Sequence, residues 1–356
     1  MGHHAPHGRS GDRARRLPDD DEGGQVSSGD TDRRVAHRLA DGAWPGATVE
    51  PLLVSENATF RVRGGPRPAV LRLHRPGYVG DAAIESELAW IATLRHDTTV
   101  PVVEPLSGVL IDPPTGRRAV LFAELPGGPV PDEALDVAHF AALGEIAGAF
   151  HDHAETWPRP AGFTRFRWDL DDTIGGPGAA GAGGADAATG SVPRWGSWRD
   201  GLAVGEAHRR ALAPAAERVA QRVDGFGRTA DRFGLIHGDL RAANLITAGA
   251  GRGADFTVID FDDAGFGWHL FEFAAAASFV ETDPRLPEWA AAWTAAYRHR
   301  RALPDAHVAL LPDFVLLRRL QLLGWLGTHG HALEADPGFA DGTVELARAY
   351  LAGRLL

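Results

Sequence analysis

The chain of 356 residues contains no cysteine and no lysine. The first absence removes disulfides, thiolate nucleophiles and cysteine-ligated zinc from consideration, and it agrees with a reducing compartment, so a cytoplasmic location is expected. The second makes all 36 basic residues arginine, so any site that ordinarily uses lysine must use arginine here. No run approaches the roughly 18 consecutive apolar residues that a membrane helix needs, and no membrane association is expected. The N-terminal stretch MGHHAPHGRSGDRARRLPDDDEGG has basic residues but lacks the apolar core of a secretory signal. Acidic residues outnumber arginine, 47 to 36, for a formal net charge of -11. That balance argues against a nucleic-acid or anionic-membrane surface, which depends on clustered cationic contacts. Small neutral or cationic partners fit better.

What is present divides the chain in two. Residues 1–30 are polar, glycine-rich and too poor in apolar residues to order themselves, so they read as a disordered tail in which His3, His4 and His7 are solvated. From Thr31 an amphipathic helix (VAHRLADGAW) leads into three strand-like runs, TVEPLLVS, ATFRVRG and RPAVLRLH, separated by Glu56-Asn57 and Gly64-Gly65-Pro66. Ile84, Leu88, Ile91 and Leu94 stand at helical spacing, and two more apolar runs flank the turn DPPTG. The order βββαββ defines a first lobe, 31–123. Residues 124–356 read as mainly helical, starting with DVAHFAALGEIAGAFHDHA, whose stripe Val137, Phe140, Leu143, Ile146 and Phe150 is expected to be buried. Residues 175–191 (GGPGAAGAGGADAATGS) form a low-complexity insert expected to be a flexible surface loop. The fold class is therefore α+β, with a small antiparallel β-rich lobe bearing one main helix and a larger helical lobe.

Chemistry concentrates in His237-Gly238-Asp239-Leu240-Arg241-Ala242-Ala243-Asn244 and Val258-Ile259-Asp260-Phe261-Asp262. Phosphoryl transfer asks little covalent help of a protein. It needs a carboxylate to receive the acceptor's proton and oxygen ligands that hold Mg²⁺ against the phosphates. An Asp and an Asn five positions apart on a tight loop, with a further Asp ending an apolar strand, supply that set. The segment resembles the aminoglycoside phosphotransferase and choline kinase family, whose loop reads HGDxxxxN and whose metal strand reads IDxxD; protein kinases carry the related HRDxxxxN and DFG. The resemblance implies a two-lobed protein-kinase-like fold and an ATP- and Mg²⁺-dependent phosphotransferase. In that scheme Asp239 is the catalytic base, Asn244 and Asp260 are the metal ligands, and His237 orients the loop.

The resemblance extends from about Thr48 to the C-terminal helices. Family members place a flexible turn over the nucleotide between the first two strands, where Ser55-Glu56-Asn57 stands; backbone amides from Ser55 to Asn57 could face phosphate oxygens, and an ordinary hairpin turn is the alternative. Ala69-Val70-Leu71-Arg72 is similar to the kinase strand VAIK, which puts Arg72 in the lysine's place, paired with Glu87 in preference to Glu85. The resemblance also implies that the backbone from Phe122 to Pro126, including Glu124 and Leu125, receives the adenine. Asp262, Asp263 and Glu272 follow the metal strand towards the acceptor side and are the candidate substrate carboxylates, suited to an amine-bearing small molecule. His151 and His153 project to different sides of a helix with no third ligand, so they read as structural. Trp168, Trp195 and Trp198 either line an acceptor pocket or anchor the insert. The run LRLHRPGY resembles the branch with homoserine kinase-like and stress-response kinases. A kinase acting on the hydroxyl of an aminoglycoside, an amino alcohol or a homoserine-like small molecule is expected, with a protein Ser/Thr kinase and a nucleotide-binding pseudokinase as alternatives; oligomeric state leaves no trace in the sequence.

Overall fold

The computed structural model describes residues 28–54, 57–175, 194–248, 256–329 and 338–356. Ser55, Glu56, residues 176–191 of the insert, and His3, His4 and His7 lie outside them. Helix α1 (Ser28–Ala43) starts three residues inside the segment read as tail and is followed by β1 (Thr48–Val54), β2 (Ala58–Arg63) and β3 (Ala69–Leu73). Then come α2 (Asp81–Asp97), β4 (Leu110–Ile111) and β5 (Arg118–Ala123). The five strands form one antiparallel sheet in the order β1-β2-β3-β5-β4.

Period-2 alternation sets what each face of that sheet does. Phe60, Val62, Leu71 and Leu73 share one face with Val35, Ala36 and Leu39 of α1, which closes a small core of its own. Arg38 of α1 grips Asp112 through two hydrogen bonds of 2.8 Å, fastening the helix to the far edge of the sheet. Arg72, between Leu71 and Leu73, must point to the opposite face, towards α2. On α2, Glu87 shares a stripe with the buried Ile84 and Ile91, whereas Glu85 is exposed.

The second lobe opens with β6 (Gly128–Pro129), α3 (Val137–Thr156), β7 (Arg167–Trp168), α4 (Leu170–Ile174) and α5 (Glu206–Phe226). It continues through β8 (Phe233–Ile236), β9 (Leu245–Thr247), β10 (Thr257–Val258) and β11 (Gly265–Trp268), and ends in α6 (Phe271–Ala276), α7 (Leu286–Arg298), α8 (Asp305–Val308), α9 (Leu311–His329) and α10 (Phe339–Leu351). Asp136 caps α3 by accepting from the N–H groups of Ala138 and His139. Phe140, Leu143, Ile146 and Phe150 are buried, but Val137, in the first turn of α3, is 38% exposed. No described helix is long and apolar enough to cross a membrane.

Helix α3 meets α7 at a glycine: a Cβ on Gly144 would stand 2.3 Å from the carbonyl oxygen of Trp293. Backbone cannot yield as a side-chain end can. Gly144→Ala is expected to destabilise the protein by about 1–3 kcal/mol, the usual range for overpacking, as read from the midpoint of urea unfolding. An unchanged midpoint would show that α7 can slide.

Candidate active site

Strand β8 delivers the segment from His237 to Asn244, which closes in a short 3-10 turn over Ala242–Asn244 before β9. Gly238 has φ 81, and a Cβ there would lie 2.6 Å from Trp168 Nε1 and 2.7 Å from the Asp263 carbonyl, so only glycine passes this corner. The antiparallel pairing of Val258 with Leu245 sets the next step. Ile259 N–H donates to Asn244 O at 3.0 Å, which brings Asp260 alongside the loop. Asp260 itself is left-handed, φ 64 and ψ 64, a strained conformation for a residue with a Cβ and one that recurs at functional sites.

The bonds that shape the loop are specific. Asn244 Nδ2 donates to Asp239 Oδ2 at 2.8 Å and to the Asp239 carbonyl at 2.9 Å. His237 Nδ1 accepts from Asp239 N–H at 3.3 Å, so its proton sits on Nε2, which donates to Ile259 O at 3.0 Å. Burial holds this imidazole below the ordinary histidine range, in keeping with a neutral ring that ties the loop to the segment carrying Asp260.

Across the cleft, Arg72 Nη2 donates to Glu87 Oε1 at 2.6 Å and Nη1 lies 3.4 Å from Asp260 Oδ1. Glu87 is therefore the helix partner. Asn57 crosses between the lobes, donating to Asp262 Oδ2 at 2.5 Å. The negative charge of Asp262 pushes the Asp260 carboxyl upward and the guanidinium of Arg72 opposes it. Asp262 is held down: Arg72, a hydrogen bond from Asp260, His74 and Arg165 outweigh the burial that would raise it. With 45% of its side-chain surface open, the Asp260 carboxylate can be reached by a cation. Among the described residues no three His, Asp or Glu side chains form a closed metal cage. A donor set of one open carboxylate and one amide fits Mg²⁺, which keeps places for phosphate oxygens and water.

Two sequence expectations find another place. Glu272 is not at the acceptor opening but fully buried beneath the loop, its Oε1 accepting from His237 N–H at 2.5 Å and Gly238 N–H at 3.4 Å. Asp262 is likewise buried and committed to Asn57. Asp263 is half-buried, and its carbonyl accepts from Trp168 Nε1 at 2.8 Å. Trp168, Trp195 and Trp198 are all buried, the first two stacked at 4.3 Å, so they belong to the core and do not line an open pocket. His151 bonds Tyr297 inside the second lobe, and His153 accepts from Trp90 of α2 in the first lobe, so both are structural contacts. Glu124 forms ion pairs with Arg61 and Arg63 at 2.5 Å, and Leu125 follows it in the connection between lobes.

Two arginines, Arg165 and Arg318, escaped the sequence reading. Arg165, buried, donates to the carbonyls of Phe261, Asp262 and Ala264 and to that of Ala83 in α2, clamping the turn after Asp260 to the helix that carries Glu87. Arg318 donates to Asp239, and Arg241 approaches it to 3.8 Å. The contacts of Arg165 and Arg318 span about 80–100 positions in sequence, and no local spacing signals them.

Burial raises the Glu272 carboxyl from its ordinary 4.5 to about 7, against the pull of the backbone N–H groups it accepts from. A raised folded value means stability that is complete below pH 4.5 and lost as pH climbs to 7, on the order of 3 kcal/mol in all. Glu272→Gln keeps an acceptor for the loop and removes the titration. Its melting temperature relative to the unsubstituted protein is expected to rise between pH 4.5 and 7 and then level; a pH-independent difference would contradict this.

The model of the phosphotransferase enzyme family matches residues 48–307. An uncharacterized protein of Deinococcus radiodurans is 30% identical over 304 residues, covering 83% of this chain and 79% of its own. A microcompartment-associated aminopropanol kinase of known structure is 39% identical with a TM-score of 0.76, the match covering 92% of this chain and 98% of that one. The amicoumacin kinase hAmiN, solved with AMP-PNP, Ca²⁺ and Ami, shares the fold at 18% identity and a TM-score of 0.62, covering 86% and 88%. With the family pattern spanning both lobes and ending well past the loop and the metal strand, this chain belongs to the phosphotransferase enzyme family and has its two-lobed, kinase-like fold.

Proposed function

We propose that the protein transfers the γ-phosphoryl group of MgATP to the hydroxyl of a small amino alcohol. The observation that carries this reading is the meeting of Asp239, Asn244 and Asp260 at one cleft under the Arg72–Glu87 pair. The substrate class is supported by the 39% identity to an aminopropanol kinase across nearly the full length of both chains. A cysteine-free chain that uses ATP suits the cytoplasm.

In this mechanism Asp239 accepts the proton of the acceptor hydroxyl as its oxygen bonds to the γ-phosphorus and the bond to the β-phosphate oxygen breaks, releasing ADP. Asp260 and the Asn244 amide oxygen would hold Mg²⁺, which when bound neutralises phosphate charge. Arg72, kept in place by Glu87, serves the α- and β-phosphates in the role lysine has in other kinases. At the lobe connection the N–H groups of Ala123 and Glu124 already donate to Glu104 O and Pro68 O. Pro126 has none, so Leu125 is the donor left for a purine. Glu272 and His237 shape the loop from below and do not touch substrate.

ADP release over a panel of short amino alcohols, aminoglycosides, hydroxy amino acids and a protein substrate tests the proposal. The greatest kcat/KM is expected for an amino alcohol of three or four carbons. Labelling of protein with no turnover of any small alcohol would put a protein kinase in its place. A melting temperature raised by ATP with no transfer to anything would leave a nucleotide-binding module.

A further inference from the structure

The carboxylate of Asp239 has a different partner on each oxygen. Oδ2 accepts from Asn244 Nδ2 at 2.8 Å, within its own loop. Oδ1 accepts from Arg318 Nη2 at 2.5 Å, and Arg318 comes from the middle of α9. The rest of that guanidinium is also committed. Nε donates to Ser278 Oγ at 3.2 Å, Nη1 donates to Gln321 Oε1 at 2.9 Å, and the rings of Trp168 and Phe271 each lie 5.6 Å from its central carbon. The side chain is only 5% exposed.

A buried cation is costly unless paired, and among the described residues Asp239 is the one carboxylate within ion-pair distance of Arg318. Packing alone would be better served by leucine or methionine at this point of an apolar helix. With one bond on each oxygen, the carboxylate cannot turn about its Cβ–Cγ bond, and each oxygen keeps a lone pair for a further donor. Among the described residues no other hydrogen bond joins α9 to Asp239.

We infer that Arg318 is a positioning residue for phosphoryl transfer: from the C-terminal helix α9 it fixes the rotation of the Asp239 carboxylate so that a free lone pair meets the acceptor hydroxyl. The inference rests on Asp239 being the proton acceptor. An error of about 1 Å in such a group costs about 100-fold in rate, because the reaction depends on near-attack placement. The hydrogen bonds of Arg318 go to Asp239, Ser278 and Gln321, and among the described residues none goes to Arg72, Asn244 or Asp260, so the loss falls on kcat and not on nucleotide binding.

The test compares Arg318→Gln, Arg318→Ala, Ser278→Ala, Asp239→Asn and the double variant Asp239→Asn/Arg318→Gln in the full chain. Arg318→Gln is expected to lower kcat by about 10–100-fold with KM for ATP and AMP-PNP affinity within about twofold. Free guanidinium ion should restore part of the kcat of Arg318→Ala saturably and leave Asp239→Asn unmoved, which a lost packing contact would not do. Should the Arg318 variants fail to fold, Ser278→Ala keeps the ion pair and frees one edge of the fork, and a several-fold fall in kcat at unchanged KM is expected. In the double variant the Arg318 substitution should add almost nothing. The inference is overturned if folded Arg318→Gln keeps kcat within twofold, if guanidinium rescues nothing, if Ser278→Ala turns over at the normal rate, or if the two losses multiply. If Asp239→Asn itself turns over normally, it is the assignment of the base that has failed, a result distinct from the first four.

Discussion

Asp239→Asn is expected to lower kcat for phosphoryl transfer by about 10²–10⁴-fold, the range that a positioned general base supplies, with nucleotide affinity within about twofold. The substitution is close to isosteric, but its single amide oxygen can accept from Arg318 or from Asn244 and not from both, because the two donors bond different carboxylate oxygens, at 2.5 and 2.8 Å. What it loses is the lone pair and charge that take the acceptor's proton. Because the loop hangs on the buried Glu272 and on His237, its backbone should stay in place. Steady-state kinetics with AMP-PNP thermal shifts separate the two effects: a variant that binds nucleotide and turns over normally would remove Asp239 from the chemistry.

Arg72 is where the second large effect is expected. Arg72→Ala leaves Glu87, 1% exposed, without its counter-charge. Breaking a buried pair from one side usually costs about 3–5 kcal/mol. It also withdraws the cation nearest Asp260, so KM for ATP should rise at least tenfold. Arg72→Met/Glu87→Met offers the contrast. Apolar replacement of both partners is often neutral for stability, so the double variant should recover most of the lost melting temperature and none of the nucleotide affinity. Recovery of both would make the pair a purely structural element, and Arg72→Lys with normal KM would show that the fork itself is not needed.

The parts of the fold that were legible in sequence are those set by local spacing. The three strand-like runs, the helix at Ile84–Leu94 and the loop and metal strand carry their periods and motifs within a few residues of one another. Even Glu87 could be preferred to Glu85, and the stripe it shares with Ile84 and Ile91 explains why its side chain reaches Arg72. Long-range decisions were not legible. Glu272 reads from its position as an acceptor-side carboxylate, and only the tertiary fold shows it turned inward to the loop's N–H groups. The same holds for Asp262, drawn to Asn57 some 205 positions away, and for Arg165 and Arg318, whose carbonyl and carboxylate partners are assembled by the tertiary fold. Tryptophans that could have lined a pocket are buried by a stack that no spacing announces.

Transfer of label from γ-labelled ATP to a three-carbon amino alcohol, followed in single turnover with the unsubstituted protein, Asp239→Asn, Asn244→Ala and Asp260→Asn, is the most direct test of one cleft joining a proton acceptor to two cation ligands. Rapid transfer is expected for the unsubstituted protein and abolished or greatly slowed transfer for all three variants. Excess Mg²⁺ should partly restore Asn244→Ala and leave Asp239→Asn unrestored. Transfer at the normal rate by Asp239→Asn or Asp260→Asn, each shown to be folded, would contradict the account.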